Sequence, residues 1–414
     1  MVHVLLVSGW QTVNIGDVAH TPGALAAFRR YAPDVQLTLW AHQIDDAVRR
    51  LLDRYFPEVS VIEEHLQPGQ QPGPRLAAAF DQADLLVHGS GPNLVARSEV
   101  ERWREHTAKP YGFFGITVDP LQPYTASLSR SATMINSIDG DLLTAADRVL
   151  LEGAAFIFCR DGLTRQFLQG QRLGVEPLRF GPDATVLFDF VDDDHGRAVL
   201  DEFDLQQGFL CAVPRLRFTP YYKLRRHQPT ATDLRRAAYN AGYLQSDLAI
   251  LRQGVISWVR ATGEPALIVP EMSYAMELAE QELAGTFPDD VEDRVHILPR
   301  FWDLTEAAAV YRRAGAVLSM ECHSPLIALA EGVPALYVRQ PTDTIKGAMY
   351  HDLGLGDQLI EAGPTAAAQV EQRLTKIAED RHAAVDLTLQ ARDFARNELQ
   401  RMVHQSIAAA GTSQ

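Results

Sequence analysis

Cysteine is scarce: Cys159, Cys211 and Cys322 are far apart, which excludes a disulfide framework and a cysteine-based zinc motif. Long apolar runs are missing too. The longest are strand-sized, so no membrane-spanning segment is expected. The N-terminal Met1-Val-His-Val-Leu-Leu-Val-Ser-Gly9 has no basic leader and no cleavage site and predicts a first strand. With a net charge of −15, nucleic acid is excluded as a partner, and a reducing, cytoplasmic setting is expected. Lysine is rarer than arginine, with only Lys109, Lys223, Lys346 and Lys376, so a lysine beside a motif stands out.

What is present is an alternation of short apolar runs and helical patterns, over a length too great for one ordinary core. Strands are predicted at Val2–Val7, Gln36–Trp40, Val59–Ile62, Asp84–His88, Pro110–Ile116 and Ala155–Cys159. Helices are predicted at Asp17–Tyr31, Asp45–Tyr55, Arg75–Gln82 and Leu163–Leu168. An acidic stretch, Phe188–Asp204, reads as a connection. A second series follows, with strands at Gly208–Val213, Pro265–Pro270 and Val295–Leu298, a long helix over about Thr232–Thr262, and an amphipathic helical tail from Thr365 to Ala410. The expected fold is α/β, with two Rossmann-like doubly wound domains facing a cleft: residues 1–195, residues 205–385, and a helical tail over 386–414. Ligands then belong at the strands' carboxyl ends.

The densest motif is Ala314-Gly-Ala-Val-Leu-Ser-Met-Glu-Cys-His323-Ser-Pro-Leu-Ile-Ala-Leu-Ala-Glu-Gly-Val-Pro334. It reads as a buried strand over Ala316–Met320, a loop presenting Glu321 and His323, and a helix. Ser324 is expected as its N-cap, Pro325 as its first helical residue and Gly332 as its stop. Free N–H groups and the dipole of that helix favour an anionic ligand. Asn14, Gly16 and Asp17 lie in a turn before the first helix, with Asp17 as its expected cap. Gly89, Ser90 and Gly91 follow a strand. Arg160-Asp161 is expected to be an ion pair with Asp161 capping a helix. Arg215 and Arg217 end the second domain's first strand, and the basic, aromatic Tyr221–His227 suits a lid. Arg300, Arg339 and Lys346 complete the candidates for substrate binding, with Asp303 beside Arg300.

In their order, Asn14-Ile-Gly-Asp17, Gly89–Gly91, Arg160-Asp161, Asp183, Arg215, Ser319-Met-Glu-Cys-His323-Ser, Gly332-Val-Pro334 and Lys346 resemble the polysaccharide pyruvyl transferase family over most of both domains. The resemblance implies a glycosyltransferase-B-like fold, with the acceptor on the first domain and the donor on the second. It also implies transfer of a pyruvyl group from phosphoenolpyruvate to sugar hydroxyls, without metal or cofactor. His323 would be the catalytic acid and Arg215 a catalytic arginine on the donor. The partners would be a small anionic donor and a sugar or glycan acceptor, with self-association left open. Where the family has an arginine two residues before the histidine, this chain has Glu321. At ~4 Å and an effective dielectric of about 20 a charge pair is worth roughly 4 kcal/mol, so the change demands either that Glu321 turn away or pair with Arg215, Arg217, Arg300 or Arg339, or that the donor differ. The competing expectations are a nucleotide-sugar-dependent glycosyltransferase and a catalytically inactive glycan-binding or partner-binding descendant.

Overall fold

The computed structural model describes residues 1–7, 12–41, 44–123, 126–205 and 208–411; Ser8 and Gly9, expected to end the first strand, lie outside them. Two parallel sheets organise the chain. The first contains β1 (His3–Val7), β2 (Gln36–Ala41), β3 (Ser60–Glu63), β4 (Leu85–His88), β5 (Gly91–Pro92), β6 (Tyr111–Thr117), β7 (Ile157–Cys159) and β8 (Leu178–Phe180). Its order is β3-β2-β1-β4-β6-β7-β8, with β5 on β6. The second contains β9 (Leu210–Val213), β10 (Ala266–Ile268), β11 (Val295–Ile297), β12 (Ala316–Ser319), β13 (Ala335–Arg339) and β14 (Leu359–Glu361), in the order β11-β10-β9-β12-β13-β14.

Helices cover both faces of each sheet, which is why the strands are apolar without alternation: Val4 to Val7 and Ala316 to Leu318 are all fully buried. In each sheet the strand order reverses beside the first strand, between β1 and β4 and between β9 and β12. Crevices open at such reversals, beyond the carboxyl ends of the strands. The two domains turn these crevices toward each other. Their cores also merge, since one buried cluster joins β1 and β4 residues to Cys211, Val213, Leu267, Val317 and the Leu326–Leu329 face.

The expected Leu163–Leu168 helix spans Gly162–Gly170, and the acidic connection holds a helix, Asp193–Glu202, capped by Asp192. The tail is two helices, Ala366–Glu379 and Arg381–Gly411. The second returns to the first domain, where Phe394 stacks on Phe180 at 6.4 Å and His404 reaches the Tyr31 carbonyl at 3.2 Å. Two helices between β6 and β7, Leu128–Asn136 and Ala145–Glu152, escape the sequence pattern because most of their surface is exposed and their apolar stripe is narrow. Among the described residues, no helix is long and apolar enough to cross a membrane.

Candidate active site between the domains

The helix Ile15–Tyr31 begins at the end of β1 and is pressed against the loop after β10. Ile15 N–H donates to the Glu271 carbonyl at 3.1 Å, and Ser273 N–H donates to Val13 at 3.0 Å. Asn14, not Asp17, is the cap: its Oδ1 accepts from Gly16 N at 2.7 Å and Asp17 N at 3.2 Å. Capping at Asn14 starts the helix two residues before the sequence pattern does and leaves the Asp17 carboxylate without a partner among the described residues. Gly16 is required for the close approach, because a β-carbon there would overlap His323 Cβ and crowd Glu271 Oε1.

This docking brings His20 onto His323. Their Nε2 atoms are 3.0 Å apart, one from each domain, and both rings are buried. The outer nitrogens fix the protons. His20 Nδ1 lies 3.0 Å from the Ser90 carbonyl, which only accepts, so Nδ1 carries hydrogen and Nε2 offers a lone pair. His323 Nδ1 faces Glu271 Oε1 at 3.5 Å, and Asp183 Oδ2 lies 3.5 Å from His20 Nε2. The result is a buried series Glu271, His323, His20, Asp183 that crosses the domain boundary.

Glu271 is fully buried; its Oε2 accepts from Ser324 N–H and O–H, each at 2.7 Å, while Oε1 has no hydrogen-bond partner. Ser324 is therefore not the helix cap. His323 occupies that position, and the Ser324 hydroxyl, which accepts from Tyr311 O–H at 3.0 Å, orients Glu271 instead. Burial raises the Glu271 carboxyl above its usual range, against the pull of Ser324, Lys346 and Arg215. Burial, then His20 and Lys346, push His323 well below the ordinary imidazole value. Asp183, despite its burial, is held low by His20, Arg160 and His323. The two shifts run toward each other, Glu271 upward and His323 downward, so burial narrows the gap between carboxyl and imidazole as holders of a proton.

Beside His323 stands a second group. Arg215, after β9, has Nε 3.1 Å from Glu321 Oε2 and is ion-paired with Asp343. Of the four arginines open to it, Glu321 has met Arg215. Asp343, although burial works against its charge, is kept below the usual range by Arg215, Lys346 and Arg339; it also accepts from Tyr337 O–H at 2.7 Å. Burial pushes Glu321 up to about 8 against the attraction of Arg215, with Glu271 adding repulsion. Asp343 is accordingly the fixed counter-charge of Arg215, and Glu321 the adjustable one. Lys346 points its influence at the same carboxylates, is only half-buried, and makes no side-chain hydrogen bond or ion pair among the described residues.

Several other sequence candidates lie elsewhere or are engaged. Arg217 turns away into the long helix Ala231–Thr262, gripping Asp247 at 2.7 and 2.9 Å and covering the Tyr243 ring at 3.7 Å. Arg339 is buried and holds Ala126 O (3.0 Å), Asp343 O (2.7 Å) and Glu361 (2.9 Å), so it ties the two domains together with its own donors filled. Arg300 is ion-paired with Glu306 at the rim of the cleft, and Asp303 caps the helix Leu304–Tyr311. Ser90 acts through its carbonyl on His20, while its hydroxyl bonds Phe114 O at 3.1 Å and Ala184 N at 3.2 Å; Gly91 enters β5 and Gly89 N–H bonds Val7 O at 2.7 Å. Arg160 does not pair with Asp161. It binds Asp183 at 2.7 Å, and Asp161 caps its helix through Thr164 N–H at 2.7 Å, its carboxyl raised by burial to about 6. The segment Tyr221–Leu224 is one helical turn in which Lys223 is exposed and the other three residues are partly buried.

Sequence reasoning missed His20 and Glu271. Each carried a positional signal: His20 follows Gly16 by one helical turn on the same face, and Glu271 follows a buried strand at its carboxyl end. A cavity of about 830 Å³ lies between the domains, lined by Thr12, Ile15, Tyr55, Trp302, Asp303 and Glu306 and not by His20, Glu271 or His323 themselves.

Solved structures with the same architecture include Staphylococcus aureus MnaA with UDP (10% identity, TM-score 0.58, covering 97% of this chain and 95% of that one). A second is UDP-GlcNAc 2-epimerase from Neisseria meningitidis bound to UDP-GlcNAc (8%, 0.58, 98% and 99%). A third is Phytolacca americana UGT2 with UDP-2-fluoro-glucose and pterostilbene (14%, 0.53, 99% and 99%). At these identities the likeness establishes the glycosyltransferase-B-like fold. No curated protein matches the sequence. The polysaccharide pyruvyl transferase model matches residues 14–340, from the cap that docks the two domains to the strand end beyond His323, and the chain therefore belongs to the polysaccharide pyruvyl transferase family.

Proposed function

We propose that this transferase moves a pyruvyl group from phosphoenolpyruvate to two hydroxyls of a sugar or glycan, in the cytoplasm. The observation that supports this most is the buried imidazole pair placed between the domains, with the buried carboxyl of Glu271 behind it. The chemistry begins when the domains part enough to admit the donor to His323, which is only 3% exposed. His323 gives its Nε2 proton to the methylene carbon, which becomes methyl, and positive charge develops at the adjacent carbon. A sugar hydroxyl oxygen bonds that carbon and the phosphate ester bond breaks. A second hydroxyl closes the ketal. One hydroxyl proton replaces that of His323, and the other leaves with phosphate. Glu271, facing Nδ1, orients the His323 ring. Lys346 and Arg215 face the donor's charges, and the acceptor lies on the first-domain side, in the cavity beside Trp302. The test is phosphate release from phosphoenolpyruvate with a panel of sugar acceptors: turnover in the wild type and its loss in folded His323→Ala support the proposal, and no turnover with any acceptor counts against it.

One observation favours a second reading, a nucleotide-sugar donor. Arg215 is already faced by two carboxylates, Glu321 and Asp343, which weakens its hold on a highly charged donor. Thermal stabilisation by uridine or guanosine diphosphate, with none by phosphoenolpyruvate, would select it.

A further inference from the structure

The imidazole pair has the shape of a metal site. A linear N–H···N bond of 3.0 Å would hold the ring centroids about 5.3 Å apart. The observed separation is 4.7 Å, with the planes at 67°. The contact is therefore bent, so at least one Nε2 lone pair lies off the line joining the two nitrogens. Two imidazoles bound at a right angle to one ion at ~2.1 Å, as neighbouring ligands of an octahedral site, have nitrogens ~3.0 Å apart and centroids ~4.6 Å apart.

The outer atoms agree with this. Nδ1 of His20 meets the Ser90 carbonyl, which frees its Nε2, and Nδ1 of His323 faces Glu271 Oε1 at 3.5 Å, which can hold that ring's hydrogen once Nε2 has given its own up to solvent. Oε1 of Glu271 has no hydrogen-bond partner. One carboxylate oxygen of Asp17 and one ring nitrogen of each histidine all lie within 4.8 Å of one another. Its carboxylate is partly exposed, makes no hydrogen bond or ion pair among the described residues and already acts electrostatically on His323, so it can close the remaining distance.

We propose that Asp17, His20 and His323 bind one divalent transition-metal ion, of the zinc, cobalt or nickel class, at the boundary between the domains. Two imidazoles and one carboxylate suit those ions better than calcium or magnesium, and three protein ligands leave positions open. The ion takes the place of the proton between the rings, which departs to solvent. A loaded chain is held closed across the cleft and lacks the acid that pyruvyl transfer would use.

The experiment is calorimetric titration of the full chain with Zn²⁺, and with Co²⁺ followed by its visible absorption. One ion per chain is expected. Glu271→Gln, an outer partner, should weaken it by ~10–100-fold, and His20→Gln and His323→Gln by more than that. Asp17→Asn should weaken it with an unchanged melting temperature, which separates loss of a ligand from loss of the fold. Failure of the wild type to bind either ion, or undiminished binding in both histidine variants, overturns the site. Because the readout is binding, it fails independently of any assay of transfer.

Discussion

His88 offers a test of how tightly the strand end beside the site is built. It is fully buried, its Nδ1 donates to the Gly89 carbonyl at 2.8 Å and its Nε2 accepts from Ala96 N–H at 3.1 Å. A second proton would have to sit on Nε2, against a donor and out of reach of water. Burial accordingly lowers His88 from 6.5 to about 4. The sign follows from proton counting. Between those values the unfolded chain binds a proton at this residue and the folded chain does not, so stability falls as the pH falls. From pH 7 to pH 5 the loss from this one residue is about 2 kcal/mol, approaching ~3 kcal/mol near pH 4. The assay is urea unfolding of the wild type and His88→Gln at pH 7 and pH 5. The glutamine variant is less stable at pH 7, because one of two buried hydrogen bonds is impaired, but it should lack the His88 share of the pH dependence. Parallel losses in the two proteins, within about 0.5 kcal/mol, would refute the buried-neutral assignment.

Gly16→Ala forces a β-carbon into His323 and Glu271, so it should destabilise by roughly 1–3 kcal/mol in urea and reduce turnover more than either residue's distance from solvent would suggest. Asp247→Ala strands the buried Arg217 guanidinium and should cost roughly 3–5 kcal/mol, whereas a paired Arg217→Met, Asp247→Leu double variant recovers most of it in the same unfolding assay. Lys346→Ala should lower the melting temperature only slightly, since the ammonium makes no side-chain hydrogen bond or ion pair among the described residues and acts on Glu271, Glu321 and Asp343 only at longer range, and raise the KM for an anionic donor by ~10–100-fold, equivalent to roughly 1.5–3 kcal/mol of charged hydrogen bonding.

The parts of this molecule readable from sequence are those written locally. Both sheets announce themselves through short apolar runs, and the Ala316–Met320 strand with its Pro325 and Gly332 boundaries is nearly as expected; Gly332 takes φ +78, which only a glycine adopts readily. The pieces that escaped depend on long-range partners. Ser324 looks like a cap, and would be one if Glu271 did not draw its hydroxyl away. Arg160 looks paired to its neighbour, and would be if Asp183 did not lie 2.7 Å away. Arg217 and Arg339 sit at cleft-facing strand ends, but their guanidiniums follow Asp247 and the Ala126 carbonyl. The His20–His323 contact joins positions 303 residues apart, and no spacing rule reaches that far.

The most direct test of the central claim is transfer carried out in deuterium oxide. With phosphoenolpyruvate and an active sugar acceptor, mass spectrometry of the product should show a methyl group that has gained a single solvent-derived deuterium, and folded His323→Gln should form no product. A ketal whose methyl carries no solvent deuterium, or full turnover in His323→Gln, would contradict the assignment of His323 as the proton donor.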